Sequence, residues 1–262
     1  MNSELLNQVI KKLIDHNIPS PRLEAKMLIT YAKNQSQNIW DLLEQRTNHT
    51  PLDKIMGTKG FYKNDFIVDK NVLSPRPDTE VLVEKAIDII KQNDLKTALD
   101  LGTGSGAIIL SVLGDCPNIK ATAIDKSQKA LSIAKQNAKN LRLADKVSFK
   151  ELDWFSDKIE GSFDIILSNP PYIPSKDIQT LEPEVKLHDP LLALDGGDDG
   201  LNSYKKIASI SPLILNDKGF ILLEIGINQA KDVANIFTNQ GLTLISIIKD
   251  LSNIERCLVF QK

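Results

Sequence analysis

From Thr97 onward the chain alternates short apolar runs with stretches of helical periodicity, and this alternation limits the possible folds more than any other feature. The candidate strands are 97–101, 120–124, 147–151, 163–168, 219–225, 242–249 and 255–260, and the helices between them include 105–113, 127–140, 201–214 and 228–239. Such a pattern implies an α/β fold: a mostly parallel sheet covered by helices on both faces. Ligands in sheets of this class sit at the carboxyl ends of the strands. The residues that follow each strand are therefore the first place to look for chemistry.

The chain ahead of the sheet reads differently. Leu5, Val9 and Leu13 recur every four residues, as do Leu6, Ile10 and Ile14, which makes one apolar stripe on a short helix. Ser20-Pro21 predicts the cap and first turn of a second helix with Leu23, Met27, Leu28 and Tyr31 inward, and Thr50-Pro51 repeats the signal. Residues 1–57 are thus expected to form a small helical bundle. Residues 58–75, with Phe61-Tyr62 and Phe66-Ile67-Val68 around Lys63-Asn64-Asp65, read as a hairpin or linker, and residues 76–262 as the α/β domain.

Composition excludes several classes. The 32 basic and 34 acidic side chains leave a net charge of -2, which counts against affinity resting on a broad phosphate-neutralising surface, so no direct nucleic-acid partner is expected. Cys116 and Cys257 form no spaced framework and read as reduced core thiols. His16, His49 and His188 lie far apart, and Asp195-Gly-Gly-Asp-Asp-Gly200 lacks the ligand alternation of a calcium loop. No metal is expected, and that acidic run reads as a loop beside the active site. The start at Met1 lacks a secretory pattern and no apolar stretch is long enough to span a bilayer. A cytoplasmic monomer is the expectation.

Thr97-Ala-Leu-Asp-Leu-Gly102-Thr103-Gly104-Ser105-Gly106 runs from a strand straight into a helix. Glycines at such a turn let a ligand approach the backbone without a Cβ clash. The spacing is not that of the dinucleotide fingerprint, and no lysine occupies the P-loop position, so a cofactor without phosphates suits the loop. Asp125 ends the next strand, where its carboxylate would accept from ribose hydroxyls or cap the helix starting near Ser127. Asp153 and Trp154 follow the third strand. They offer an acceptor and an aromatic face to an adenine, or else an ordinary turn and a packing residue.

The run 163–168 delivers Asn169-Pro170-Pro171-Tyr172 to the same edge. Two prolines remove two backbone donors and stiffen the corner, so the carbonyls of Asn169 and Pro170 stay free to face a ligand. The side-chain carbonyl of Asn169 is a further acceptor. Amide and aryl-amine nitrogens are poor nucleophiles because their lone pairs are delocalised. Acceptors that hold such an NH2 group would orient it toward an electrophile and stabilise the charge that develops on it, while Tyr172 covers its flat face. No strong base is required, since the proton leaves easily after transfer.

Together these motifs resemble the PrmC/HemK family of protein-(glutamine) methyltransferases, which modify the glutamine of the Gly-Gly-Gln motif in class 1 peptide chain release factors. The residues that carry the resemblance are Pro75-Arg76-Pro77-Asp78-Thr79-Glu80, Asp100 to Ile108, Asp153-Trp154-Phe155, Ser168 to Ile173 and Leu223-Glu-Ile-Gly226. Ala193 to Gly197 with Asp199-Gly200, and Arg22-Leu-Glu-Ala-Lys26, extend it to nearly the whole chain. The resemblance implies a Rossmann-like, seven-stranded methyltransferase domain with an antiparallel last strand, and a helical bundle that helps grip the release factor. It implies S-adenosylmethionine as cofactor, leaving as S-adenosylhomocysteine, against Gly102, Thr103, Gly104, Ser105, Gly106, Asp125, Asp153, Trp154 and Asn169. Asn169, Pro170, Pro171 and Tyr172 would hold the glutamine. Asn169, Pro170 and Tyr172 would carry the catalytic roles, with Arg76 and Glu80 either touching substrate or bracing the domain junction. Asn-Pro-Pro-Tyr also occurs in amino-methyltransferases of DNA and RNA, the alternative reading, but these call for a basic groove and the helical segment has mixed charge. A binding module that kept the fold without catalysis would not need Asn169 and Tyr172.

Overall fold

The computed structural model of the chain describes residues 3–262, so Met1 and Asn2, on which part of the reading of the N-terminus falls, lie outside the described residues. Four helices come first: α1 (Ser3–Asp15), α2 (Pro21–Gln35), α3 (Ile39–Thr47) and α4 (Leu52–Met56). Val9 and Leu13, Ala25, Leu28 and Ala32, and Leu42 and Leu43 bury against one another as their core. Leu23 and Met27, expected inward, are exposed instead, because the inward side of α2 also carries Glu24, which pairs with the buried Arg46. Ser20 adopts a left-handed conformation and gives no side-chain cap; its carbonyl accepts from the N–H groups of Leu23 and Glu24. At the next start signal the cap falls one residue late, on Pro51.

β1 (Thr58–Phe61) and β2 (Asn64–Ile67) form an antiparallel hairpin. Phe61 and Phe66 meet edge to face across it, 6.0 Å between ring centroids. Both join Leu82, Val83 and Ala86 of α5 (Glu80–Asn93) in one core cluster, so the hairpin is packed onto the larger domain.

The remainder is β3 (Thr97–Leu101), α6 (Ala107–Asp115), β4 (Lys120–Asp125), α7 (Gln128–Asn140), β5 (Val147–Glu151), β6 (Phe163–Ser168), α8 (Pro183–His188), α9 (Asn202–Ile214), β7 (Leu215–Glu224), α10 (Ala230–Thr238), β8 (Thr243–Lys249) and β9 (Glu255–Gln261). The seven strands lie in the order β5-β4-β3-β6-β7-β9-β8. β3 to β7 pair in parallel, and β9 pairs antiparallel with both β7 and β8. Successive side chains along a strand point to opposite faces. Ala98, Ile165, Leu167 and Leu222 accordingly pack with α5 and α6, whereas Leu99, Ile166, Ile221 and Leu223 pack with α9 and α10. From β3 the chain steps outward to β4 and β5, then crosses back to β6 on the other side of β3. The loops after β3 and β6 therefore leave the sheet in opposite directions and open a crevice between neighbouring strand ends. No helix among the described residues is long and apolar enough to cross a membrane.

Candidate active site

The glycine loop occupies one side of that crevice. Gly102, Gly104 and Gly106 have φ of +74, +55 and +81, conformations that other residues adopt at a cost. The N–H groups of Gly102 and Thr103 donate to the Ile124 carbonyl at 2.9 and 3.0 Å. Thr103 Oγ1 donates to Asp100 Oδ2 at 2.6 Å. Asp100 is fully buried, its Oδ1 has no partner, and burial pushes its carboxyl up to about 7.

Ser127 caps α7, its side chain accepting from Ala130 N–H, and Asp125 lines the cleft with both carboxylate oxygens engaged by backbone. Oδ2 accepts from Gly104 N–H at 2.9 Å and Oδ1 from Ser127 N–H at 2.8 Å, so the carboxylate pins the glycine loop while it leads into α7. Burial pushes this carboxyl up despite those backbone donors. Asp153 pairs with Lys126 at 2.8 Å, which holds it below the usual carboxylate range. Trp154 is buried with Leu99 and Ile124, and a Cβ on Gly102 would lie 2.8 Å from its Cη2. Its ring is the floor beneath the loop. The neighbouring Phe155, to which the sequence assigned no role, stacks on it and is 48% exposed.

The acceptor corner faces this loop. Ser168 Oγ donates to the Leu101 carbonyl at 2.7 Å and ties the end of β6 to that of β3. Asn169 and Pro171 line the same cleft as Gly102 to Ser105, Asp125, Asp153 and Trp154, a space of about 660 Å³. Among the described residues no donor reaches the carbonyls of Asn169 or Pro170. Leu191, Leu192 and the stretch from Asp195 to Gly197 close the far wall, and Ser74 to Arg76 one flank. The volume is ordinary for a small-molecule site. A backbone opened by glycines, carboxylates at two strand ends and a largely apolar lining fit a nucleoside that carries no phosphate.

Residues 77–183 match the family described as methyltransferase small domain. A release factor glutamine methyltransferase of Caulobacter vibrioides is 38% identical over 265 residues, covering 95% of this chain and 92% of the relative. One of Thermodesulfovibrio yellowstonii is 41% identical over 230 residues, covering 87% of this chain and 82% of the relative. The chain belongs to the release factor glutamine methyltransferase family. Among solved structures, a methyltransferase from Pyrococcus furiosus shares the fold with TM-score 0.56 at 19% identity, covering 78% of this chain and 91% of that one.

In this methyltransferase the segment Arg76 to Glu80 ties four elements together. Arg76 pairs with Asp189 at 3.2 Å, Asp78 with Arg256 at 3.0 Å, and Thr79 Oγ1 donates to Glu224 Oε2 at 2.5 Å. Glu80 accepts from Tyr62 N–H at 2.9 Å and does not line the cleft; it braces the hairpin, whereas Arg76, 47% exposed, does line it. Pro170 is buried, and Tyr172 also lies behind the cleft wall rather than on it. Its hydroxyl donates to Glu224 Oε1 at 3.4 Å, and its carbonyl accepts from Gln229 Nε2 at 3.0 Å. The reason is Glu224, only 3% exposed, which accepts from the hydroxyls of Thr79 and Tyr172 and whose carboxyl burial pushes up to about 7. Burial and that carboxylate together push the Tyr172 hydroxyl well up.

Several functional contacts had no sequence signal. Lys54, buried at the end of the helical segment, donates to the carbonyls of Asp69 and Val72 and pairs with Asp189 at 3.3 Å. Gln229 and Asp189 sit in no recognisable motif. Glu224 could have been suspected as an acid directly after the apolar run Phe220–Leu223.

Proposed function

We propose that this enzyme transfers the methyl group of S-adenosylmethionine to the side-chain amide nitrogen of the glutamine in the Gly-Gly-Gln motif of class 1 release factors. The observation that carries the reading is the Asn169-Pro170-Pro171 corner, of which Asn169 and Pro171 line the cleft beside the glycine loop and whose Asn169 and Pro170 carbonyls meet no donor among the described residues. When bound, the cofactor supplies an electrophilic methyl group on a sulfonium. Gly102 to Gly106, Asp125, Asp153 and Trp154 would hold it, with Asp125 accepting from the ribose. The side-chain oxygen of Asn169 and the carbonyl of Pro170 would take the two N–H bonds of the glutamine amide. Held so, the nitrogen lone pair is aimed along the cleft, and the acceptors stabilise positive charge as it grows there. The helical bundle, tied to the cleft wall through Arg46–Glu184 and Lys54–Asp189, would contribute to gripping the release factor.

The test is a labelled-methyl assay with release factor, DNA and ribosomal RNA as acceptors in parallel. Label on the Gly-Gly-Gln glutamine is expected, and label on nucleic acid alone would overturn the reading. Asn169→Ala is expected to lower turnover by roughly a hundredfold or more with cofactor affinity within about threefold. Equal losses in both would move Asn169 to cofactor binding.

A further inference from the structure

The acceptor corner is held from behind by groups that the mechanism above does not use. Glu224, at the end of β7, faces two hydroxyls: Oε2 accepts from Thr79 at 2.5 Å and Oε1 from Tyr172 at 3.4 Å. Thr79 Oγ1 in turn accepts from Asn169 Nδ2 at 3.4 Å, and the nearby Asn169 amide favours the Glu224 carboxylate. A hydroxyl has one proton to give. While Thr79 gives it to Glu224, its oxygen can only accept from Asn169. The amide nitrogen of Asn169 must then point inward and its oxygen toward the cleft. Without such a neighbour the two ends of an asparagine amide are almost the same shape, and either could face out. One end accepts an incoming N–H; the other opposes it with N–H groups of its own.

We propose that Glu224, acting through Thr79, is a positioning residue that locks the Asn169 amide with its oxygen toward the acceptor nitrogen. The inference rests on the proposed amide methylation. Glu224 does not line the cleft, and Thr79, which does, turns its hydroxyl to Glu224. Their work is to remove the wrong orientation of the residue assigned to hold the acceptor.

The charges around Glu224 set when the lock holds. Arg256, bound to Asp250 and Asp78 at 3.0 Å each, favours the carboxylate, and Asp78 opposes it. Tyr172, Tyr204 and Cys257, the other titratable groups facing it, are all pushed up and stay neutral. With burial placing Glu224 near 7, acid adds a proton to it. A protonated Glu224 can donate to Thr79, whose own proton is then free to turn toward Asn169 and receive the amide oxygen. Turnover is therefore expected to fall on the acid side of neutrality.

The experiment uses the full chain with release factor, over about pH 6 to about pH 9. Thr79→Val keeps the shape and removes the hydroxyl. It is expected to lower kcat roughly tenfold to a hundredfold, with KM for the cofactor within about twofold, and Thr79→Ser is expected to restore most of the rate. Glu224→Gln is expected to flatten the acid limb of kcat. Asp100, also near 7, lies under the glycine loop, so its titration belongs in cofactor affinity instead. Wild-type kcat in Thr79→Val, or an unchanged acid limb in Glu224→Gln, overturns the proposal. A second readout needs no substrate: in 15N-labelled protein the Asn169 side-chain amide, assigned by its absence from Asn169→Asp, should exchange slowly and lose protection in Thr79→Val. An unprotected amide in the wild type overturns the proposal even if the acceptor proves not to be release factor. Failure of the wild type to methylate release factor, with the amide protected, refutes the proposed function alone.

Discussion

Replacing Arg46 by Ala tests whether the helical bundle is held to the cleft wall by charge. The Arg46 side chain is 1% exposed and its guanidinium reaches Glu24 of α2 at 2.5 and 3.1 Å, Glu184 of α8 at 2.7 Å and the Thr50 carbonyl at 3.3 Å. Burial pulls its pKa down, but the hydrogen bonds and charges of the two glutamates outweigh that and hold it above its ordinary value. Removing one partner of a buried pair leaves charge without compensation and costs about 3–5 kcal/mol. Glu24 is 13% exposed and bears most of that penalty, whereas Glu184, at 32%, can turn to water. The lower end, about 3 kcal/mol, is therefore expected. With a urea slope of about 2–3 kcal/mol per molar, the midpoint should fall by roughly 1 M. The two tryptophans give the readout, since Trp40 lies on α3, the helix that carries Arg46, and Trp154 under the glycine loop; Trp154→Phe isolates the first. The triple variant Arg46→Met, Glu24→Gln, Glu184→Gln removes all three charges and should recover part of the loss. An Arg46→Ala midpoint equal to the wild type, or a triple variant as weak as the single one, would refute the reasoning.

Gly102→Ala places a Cβ 2.8 Å from Trp154 at φ +74, so it should lower the thermal midpoint and weaken cofactor binding about tenfold; calorimetry with unchanged affinity would remove Trp154 as the floor of the loop. Asp100→Asn should stabilise the protein at high pH. The folded Asp100 carboxyl lies near 7 against 3.8 as the ordinary value, so its contribution to stability is complete below 3.8 and withdrawn as pH rises through 7. The advantage of the Asp100→Asn variant at about pH 8 is expected to be on the order of 2–4 kcal/mol and to shrink toward about pH 5, read from urea midpoints; a pH-independent difference would contradict it.

What the sequence revealed, and what it hid, divides along a physical line. Strand positions were legible because 97–101 and 163–168 carry apolar residues on both faces, as buried parallel strands do, with Asp100 and Asp164 the acidic exceptions. The glycine loop and the proline corner were legible because each needs residues with unusual backbones. The inward face of α2 was half legible: Leu28 and Tyr31 pack inward as expected, whereas Leu23 and Met27 are exposed and Ala25 and Ala32 take their place. Which face packs is decided by the neighbouring helices and by the Glu24–Arg46 pair, and no local pattern contains them. The positions of Glu80 and Tyr172 behind the cleft were hidden for a related reason. Their partners, Tyr62 and Glu224, are distant in sequence and meet them only when hairpin, α5 and β7 converge.

That convergence uses one device twice. Asp100 and Glu224 are both carboxylates at the carboxyl ends of sheet strands, both fully or almost fully buried, and each takes the single proton of a threonine hydroxyl, from Thr103 at 2.6 Å and Thr79 at 2.5 Å. A buried acid is an expensive way to hold a hydroxyl, because desolvation raises both carboxyls toward 7 and works against folding at neutral pH. What the acid adds that a neutral acceptor would not is direction: an ionised carboxylate cannot donate, so the threonine oxygen behind it is left with lone pairs only. Under the glycine loop this fixes Thr103; behind the proline corner it fixes Thr79 and, through it, Asn169. Substitutions that neutralise these acids should therefore make the protein more stable above neutral pH while making its cleft less well defined, and the two effects should grow together as pH rises.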